Sequence, residues 1–157
     1  MKYETGTTYR VTLNVVRETP CDYTTDTPET LLRYWHEVIA TQPDYESDKE
    51  SLIVVMMDSH LRPIAWHRVA LGSLTEVTAH PREILRPVIT AGSYGFALMH
   101  NHPSGDPSPS GADEKITRRL VEGSELLGLR FFDHLIVGDD FAGRRPYFSF
   151  KETGMMR

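Results

Sequence analysis

A short segment in the second half of the chain carries residues whose types and spacing suit metal binding. It runs from His100 to Asp113, with His102 two residues after the first imidazole and Ser110 three residues before the carboxylate. Two imidazoles and one carboxylate are nitrogen and oxygen ligands, and three such ligands with one open position are typical of catalytic zinc. Zinc in such a site brings the pKa of a water ligand to about 7, which makes hydroxide available for a hydrolytic reaction.

The elements on either side of this segment must bring the side chains together. An apolar run just before the segment predicts a strand, and the two-residue period of extended chain places His100 and His102 on one side. Pro103 favours extended backbone at the residue before it, which keeps that geometry through His102. Ser110 is a typical helix N-cap, so Asp113 falls in the first helical turn and can face back towards the histidines.

A simpler interpretation of the same residues needs no metal. Ser110 and Asp113 can cap a helix, where a carboxylate is favoured by the helix dipole. His100 and His102 can be polar residues at a strand end. Capping and metal binding are compatible, since a capped helix holds its carboxylate rigidly. The joint pattern, with prolines and a glycine shaping the loop, favours the metal site.

A hydrolytic site also needs a general base to take a proton from water. The carboxylates near the ends of predicted elements are Glu50, Glu76 and Glu83, and periodicity does not choose among them. Glu50 stands just before an apolar strand, so it can reach a site at a sheet edge. The alternative is that Glu50 is simply the last charge of an acidic loop.

The pattern along the chain predicts an α/β domain in which helices flank a mixed β-sheet. The predicted strands cover residues 9–17, 52–57, 64–70, 74–77, 94–99, 131–137 and 147–150. The predicted helices begin at Pro28, after Thr27 as N-cap, and at Pro81, and a third covers residues 112–127. The uninterrupted apolar run 52–57 is typical of a central strand buried on both faces. Residues 1–49 are expected to form a strand-helix extension packed on a core domain of residues 50–157.

Composition narrows the function classes. The 157 residues carry a net charge of -5, which offers no basic surface and argues against nucleic acid as a partner. The single cysteine, Cys21, excludes an internal disulfide framework and suits a reducing compartment. The longest apolar run is far shorter than a membrane span, and residues 1–10 lack an apolar signal core. These features predict a cytoplasmic protein that does not associate with membranes.

The spacing His-x-His, seven residues, Ser-x-x-Asp resembles the JAMM motif of the JAB/MPN+ metalloproteases. The surrounding stretches resemble the RadC-like branch of that family: residues 80–83 (His-Pro-Arg-Glu), 100–110, 133–138 (Asp-His-Leu-Ile-Val-Gly) and 147–152. The similarity extends from about residue 50 to residue 154. It implies helices around a mixed sheet, in a layout related to that of cytidine deaminases.

The resemblance also implies roles for individual residues. The two histidines and Asp113 would hold Zn²⁺. In this family a glutamate precedes the first apolar strand and an aspartate ends it, an arrangement that Glu50 and Asp58 match. Glu50 would therefore be the general base, and Ser110 would donate a hydrogen bond to the oxyanion.

The function that the resemblance implies is zinc-dependent hydrolysis of a peptide or isopeptide bond. Its partner would be a protein or peptide substrate, with ubiquitin-like proteins as one candidate. The alternative is a DNA-repair-associated protein that acts on or near DNA, as the RadC name suggests. The acidic composition argues against this alternative. Residues 1–49 are also too short and too acidic to form the helix-hairpin-helix region that many RadC-like proteins carry. A zinc deaminase needs a Pro-Cys-x-x-Cys signature, which a single cysteine excludes. A non-catalytic scaffold is disfavoured because every metal-ligand position of the motif carries a residue that can bind the metal.

Three further features match the family or depart from it. His80 is expected to form hydrogen bonds at a helix start, and His134 to support a ligand or pack in the core. The segment 139–146 is longer than the usual tight turn, and is interpreted as a variable surface loop rather than a substrate contact.

Overall fold

The computed structural model describes residues 22–72, 79–141 and 143–156. The predicted strands at 9–17 and 74–77, together with Cys21 and Glu76, lie outside these ranges. Within them the strands are β1 (Ser51–Met57), β2 (Pro63–Leu71), β3 (Gly95–Asn101), β4 (Arg130–Val137) and β5 (Tyr147–Ser149). The helices are α1 (Pro28–Tyr34), which continues into a π-helical turn at Trp35–Ile39, α2 (Pro81–Thr90) and α3 (Gly111–Leu127).

The five strands form one mixed sheet in the order β2-β1-β3-β4-β5. Strands β3 and β4 are parallel, and the other neighbouring pairs are antiparallel. Both β1 and β3 are buried along their whole length, because helices cover both faces of the sheet. The predicted α/β fold with a mixed sheet between helices is confirmed.

Alternate side chains of the central strands enter two cores, one on each face of the sheet. On one face Ile53 and Met99 pack with α1 and the π-helical turn, including Trp35. On the other face Val54 and Leu98 pack with residues of α2 and α3. Residues 22–49 of the predicted N-terminal extension therefore share a core with the sheet, while the boundary after residue 49 stays a prediction.

Local sequence signals explain where the helices begin. Thr27 caps α1, its side chain accepting a hydrogen bond from the Thr30 N–H, and Pro28 takes the first helical position as predicted. Gly128, with φ 68°, ends α3 in the left-handed conformation that glycine adopts at least cost. None of the described helices is long and apolar enough to cross a membrane.

The topology brings distant parts of the chain to one edge of the sheet. Because β1 and β3 are antiparallel, the start of β1 lies beside the end of β3, with Leu52 opposite His100. Because β3 and β4 are parallel, α3 must cross back over the sheet, and its first turn starts near the end of β3. Carboxyl ends of strands that face helix starts are where α/β sheets commonly bind ligands.

Candidate metal centre

The two histidines of the motif present their Nε2 atoms to each other. His100 is fully buried at the end of β3, His102 follows in the loop, and their Nε2 atoms are 3.1 Å apart. The Nδ1 atom of His102 is 2.7 Å from the main-chain carbonyl oxygen of Asp106. A carbonyl oxygen can only accept, so this Nδ1 carries a proton, and the Nε2 of neutral His102 keeps its lone pair for a ligand.

Asp113 uses its two carboxylate oxygens differently. Oδ2 accepts hydrogen bonds from the Ser110 N–H (2.7 Å) and the Ser110 hydroxyl (2.6 Å), which completes the capping box of α3. Oδ1 is buried, has no hydrogen-bond partner among the described residues, and lies 3.3 Å from the Nε2 of His100. One oxygen of the Asp113 carboxylate therefore caps the helix, while the other faces the histidines.

Glu50 approaches the same point from the start of the neighbouring strand, β1. It immediately precedes β1, and its Oε1 atom lies 3.7 Å from the Nε2 of His100. Its side chain is 15% exposed, while the Oε1 atom that faces the histidines is buried. Of the three glutamates that the sequence left open, Glu83 instead pairs with Arg82 and Arg86 on α2.

Asn101 holds the segment that carries Glu50, a role that the sequence analysis missed. Its side-chain carbonyl accepts a hydrogen bond from the Ser51 N–H (2.8 Å), and its amide donates to the Lys49 carbonyl (3.0 Å). Both neighbours of Glu50 are thus tied to the residue between the two histidines. The available signal was its place in His-Asn-His, because alternation turns Asn101 away from the metal-facing side and towards other partners.

Four donor atoms, one each from Glu50, His100, His102 and Asp113, lie within 4.8 Å of one another. Zinc bonds of about 2.0–2.1 Å in a tetrahedron imply ligand atoms about 3.4 Å apart. The separations of 3.1 Å between the two Nε2 atoms, and of 3.3 Å from the Nε2 of His100 to the Oδ1 of Asp113, match that value. The donor set, together with the buried Oδ1 for which the described part of the chain supplies no hydrogen-bond partner, therefore fits a metal ion with the bond lengths of zinc.

The ionisable groups at the site influence one another. Burial by itself raises the pKa of Asp113, but the adjacent imidazoles of His100 and His102 outweigh it and hold the pKa well below its usual range. The adjacent carboxylate of Asp113 in turn raises the pKa of His102. The carboxylate is therefore ionised at neutral pH, and acid should weaken metal binding by protonating His102.

His134 lies against His100 inside the protein. Its Nε2 is 2.9 Å from the Nδ1 of His100, and its Nδ1 is 2.6 Å from the Thr117 hydroxyl. Its ring stacks on Phe150 at a centroid distance of 4.8 Å. Burial lowers the pKa of His134 well below its usual range, so the ring is neutral. His134 contacts a candidate ligand and packs in the core at once.

Two other residues that match family positions lie outside this cluster. His80 caps α2, accepting at Nδ1 a hydrogen bond of 3.1 Å from the Arg82 N–H, as predicted. Asp58 lies at the far end of β1, where its carboxylate accepts from the N–H groups of His60 and Arg62 and shapes a turn.

The loop of residues 139–146 packs against the histidine segment. The Asp139 N–H and the Arg144 guanidinium both donate to the carbonyl oxygen of Gly105, at 2.9 and 3.1 Å. The contact requires glycines, because Gly105 has φ 76° and a Cβ on Gly138 would lie 2.5 Å from that same oxygen. Phe141 in this loop is exposed, in agreement with the predicted surface loop. The sequence analysis did not predict the contact that Arg144 makes.

A mixed sheet between helices, with two histidines and two carboxylates gathered at one edge, defines a JAB-type domain, a class that includes metallohydrolases. The family described as RadC-like JAB domain matches residues 25–155. The chain therefore belongs to the RadC-like JAB domain family, as its motif predicted.

Relatives in that family come from bacteria and archaea. A UPF0758 protein of Alkaliphilus metalliredigens is 44% identical over 108 residues, which are 69% of this chain and 44% of that protein. A UPF0758 protein of Methanosarcina acetivorans is 41% identical, over 71% of this chain and 47% of that protein. One of Thermotoga maritima is 40% identical, over 68% and 46% respectively. The chain thus matches these relatives over about half of their length.

Proposed function

We propose that this chain is a zinc-dependent hydrolase that cleaves a peptide or isopeptide bond. The observation that carries the proposal is the convergence of four donor atoms within 4.8 Å at one edge of the sheet. His100, His102 and Asp113 would hold the zinc, which leaves one position open to water or substrate. When bound, zinc would supply Lewis acidity, lowering the pKa of water towards about 7 and polarising a carbonyl oxygen.

Glu50 would be the general base. Its Oε1 lies 3.7 Å from the Nε2 of His100, so it is close enough to contact a water molecule at the open position. Glu50 would take a proton from that water as the new carbon–oxygen bond forms. It would then give the proton to the amine nitrogen as the carbon–nitrogen bond breaks, so the carboxylate ends the cycle unchanged.

Ser110 would donate a hydrogen bond to the carbonyl oxygen of the substrate. At present its hydroxyl donates to the Oδ2 of Asp113 (2.6 Å), and its main-chain N–H donates to the same oxygen (2.7 Å). When the hydroxyl turns towards substrate, the N–H bond would keep Asp113 in place. The conformational change required is one rotation about the side chain of Ser110.

The proposed partner is a protein or peptide, with ubiquitin-like proteins as one candidate class. The net charge of -5 offers no electrostatic support for the alternative of action on or near DNA.

The proposal is tested by comparing zinc-loaded wild-type protein with Glu50→Gln in a proteome-wide cleavage profile. We expect the variant to bind zinc as the wild type does, while cleavage falls by about 10²–10⁴-fold because general-base catalysis is lost. Glu83→Gln is the matched control, since that residue pairs with arginines on α2, and it should retain full activity. Equal cleavage by wild type and Glu50→Gln would rule out the proposed mechanism.

A further inference from the structure

A continuous hydrogen-bond chain leads from one proposed ligand to the main chain of another. It begins at the Nδ1 of His100, which lies 2.9 Å from the Nε2 of His134. It continues from the Nδ1 of His134 to the Thr117 hydroxyl (2.6 Å), and from that hydroxyl to the carbonyl oxygen of Asp113 (2.6 Å). His134 and Thr117 are buried, so water cannot substitute for a missing partner along this chain.

The direction of every proton in the chain follows from its last member. The Asp113 carbonyl can only accept, so the single proton of the Thr117 hydroxyl points to it. The hydroxyl oxygen is then the acceptor for His134, whose Nδ1 must carry the ring proton. The Nε2 of His134 therefore has only a lone pair, and the proton between the two rings belongs to the Nδ1 of His100.

The geometry points to Thr117 and His134 as positioning residues that hold His100 in the tautomer with an unprotonated Nε2. That atom faces the Nε2 of His102 and the Oδ1 of Asp113, so the tautomer is the one able to bind a metal. A threonine hydroxyl bonded to the carbonyl four residues earlier is common in helices by itself. The second partner at 2.6 Å, the Nδ1 of His134, makes this threonine part of the site.

Replacing Thr117 separates this role from packing. Thr117→Val keeps the shape and removes the hydroxyl, so the Nδ1 of His134 loses its acceptor. The favoured tautomer of His134 then reverses, its Nε2 donates to the Nδ1 of His100, and the His100 proton moves to the Nε2 that faces the site. Thr117→Ser keeps the hydroxyl and loses only a methyl group. A packing role predicts that valine is the milder change, whereas the hydrogen-bond chain predicts that serine is.

Two measurements test the inference. Long-range ¹H–¹⁵N correlation spectra of metal-free protein should place the ring proton of His100 on Nδ1 in wild type and Thr117→Ser, and on Nε2 in Thr117→Val. Competition for Zn²⁺ with a chelator of known affinity should give Thr117→Ser an affinity near that of wild type. Thr117→Val should bind Zn²⁺ about 10–100-fold more weakly, the usual effect of removing a group that orients a ligand.

The metal-binding measurement rests on the proposed function, whereas the spectra do not. A wild-type protein that binds no Zn²⁺ would remove the proposed function, while the tautomer of His100 would still decide the role of the chain. Unchanged spectra in Thr117→Val, or an Nε2 proton on His100 in the wild type, would overturn the inference. Equal loss of affinity in the serine and valine variants would also overturn it.

Discussion

The two sides of the candidate metal centre hold chemically identical imidazoles in different ways. The buried side consists of His100, His134 and Thr117, and the loop side of His102, Asp106 and Arg144. His100 has no exposed surface, and its Nδ1 meets a side chain from another strand. The side chain of His102 is 17% exposed, and its Nδ1 meets a carbonyl only four residues along the chain.

The difference shows how burial decides what a ligand requires. A buried imidazole cannot rely on water for its second nitrogen, so its partner must be brought in by tertiary structure. An imidazole in a turn can use the main chain of that turn. Changes on the buried side should therefore affect both folding stability and metal binding, and changes on the loop side should affect mainly metal binding.

Removing each ligand in turn gives the largest expected effect and tests this asymmetry. His100→Ala and His102→Ala should both abolish tight Zn²⁺ binding, because each removes a ligand. In metal-free protein, His100→Ala should lower the free energy of unfolding by about 2–4 kcal/mol, since it leaves a cavity and deprives His134 of its partner. His102→Ala should cost less than about 1 kcal/mol, as is usual for a partly exposed residue. Urea unfolding measures both, and equal losses would break the comparison.

The stability that the buried side contributes to the folded state should also depend on pH, because of the nearby carboxylate of Asp133. This carboxylate accepts hydrogen bonds from the Ser149 hydroxyl (2.6 Å) and the Lys151 N–H (3.0 Å), and so holds the turn containing Phe150, whose ring stacks on His134. Burial raises the pKa of Asp133 to about 6 despite those hydrogen bonds. The folded state therefore binds this proton more tightly than the unfolded state, and stability falls as pH rises from about 4 to above 6.

Replacing Asp133 should remove that dependence. A shift of about two pKa units corresponds to about 3 kcal/mol, present below pH 4 and lost above pH 6. Asp133→Asn should therefore gain stability relative to wild type when the pH is raised from 4.5 to 7, measured by urea unfolding of metal-free protein. On the loop side, hydrogen bonds with Ser108 lower the pKa of Asp106, so this carboxylate is ionised throughout that range and the stability difference between Asp106→Asn and wild type should change little. If the free energies of unfolding of Asp133→Asn and wild type differed by the same amount at both pH values, this prediction would be refuted.

The smallest effect is expected for the contact between the loop and the histidine segment. Arg144 donates to the Gly105 carbonyl and lies 3.4 Å from the Asp106 carboxylate, but both charged groups are largely exposed. Exposed pairs of this kind contribute about 0.2–1 kcal/mol, so Arg144→Ala should change Zn²⁺ affinity by less than about fivefold. Arg145→Ala, which removes an exposed pair with Glu152, is the matched control. If Arg144→Ala weakened Zn²⁺ binding as much as Thr117→Val, the loop side would be no more tolerant than the buried side.

The sequence predicted the parts of the site that depend on local geometry. The strand before His100, the cap at Ser110 and the position of Asp113 in the first helical turn all follow from short-range rules. The helix starts at Pro28 and Pro81 follow from the same kind of signal, and the structure has them as predicted.

The remaining parts depend on strand register, which short-range patterns do not encode. The pairing of β1 with β3 determines that Asn101 meets both neighbours of Glu50. The parallel pairing of β3 with β4 determines that His134 reaches His100 rather than another core residue. Family resemblance pointed to Glu50 as the base, but only the register places its carboxylate beside the histidines.

The most direct test of the central claim is an anomalous difference map, recorded at the zinc absorption edge from crystals of the protein grown with Zn²⁺. We expect one strong peak per chain, bonded to the Nε2 atoms of His100 and His102 and to Asp113, with Glu50 adjacent to it. A map with no peak at this edge of the sheet, or with zinc bound by other residues while these side chains stay unligated, would contradict the account.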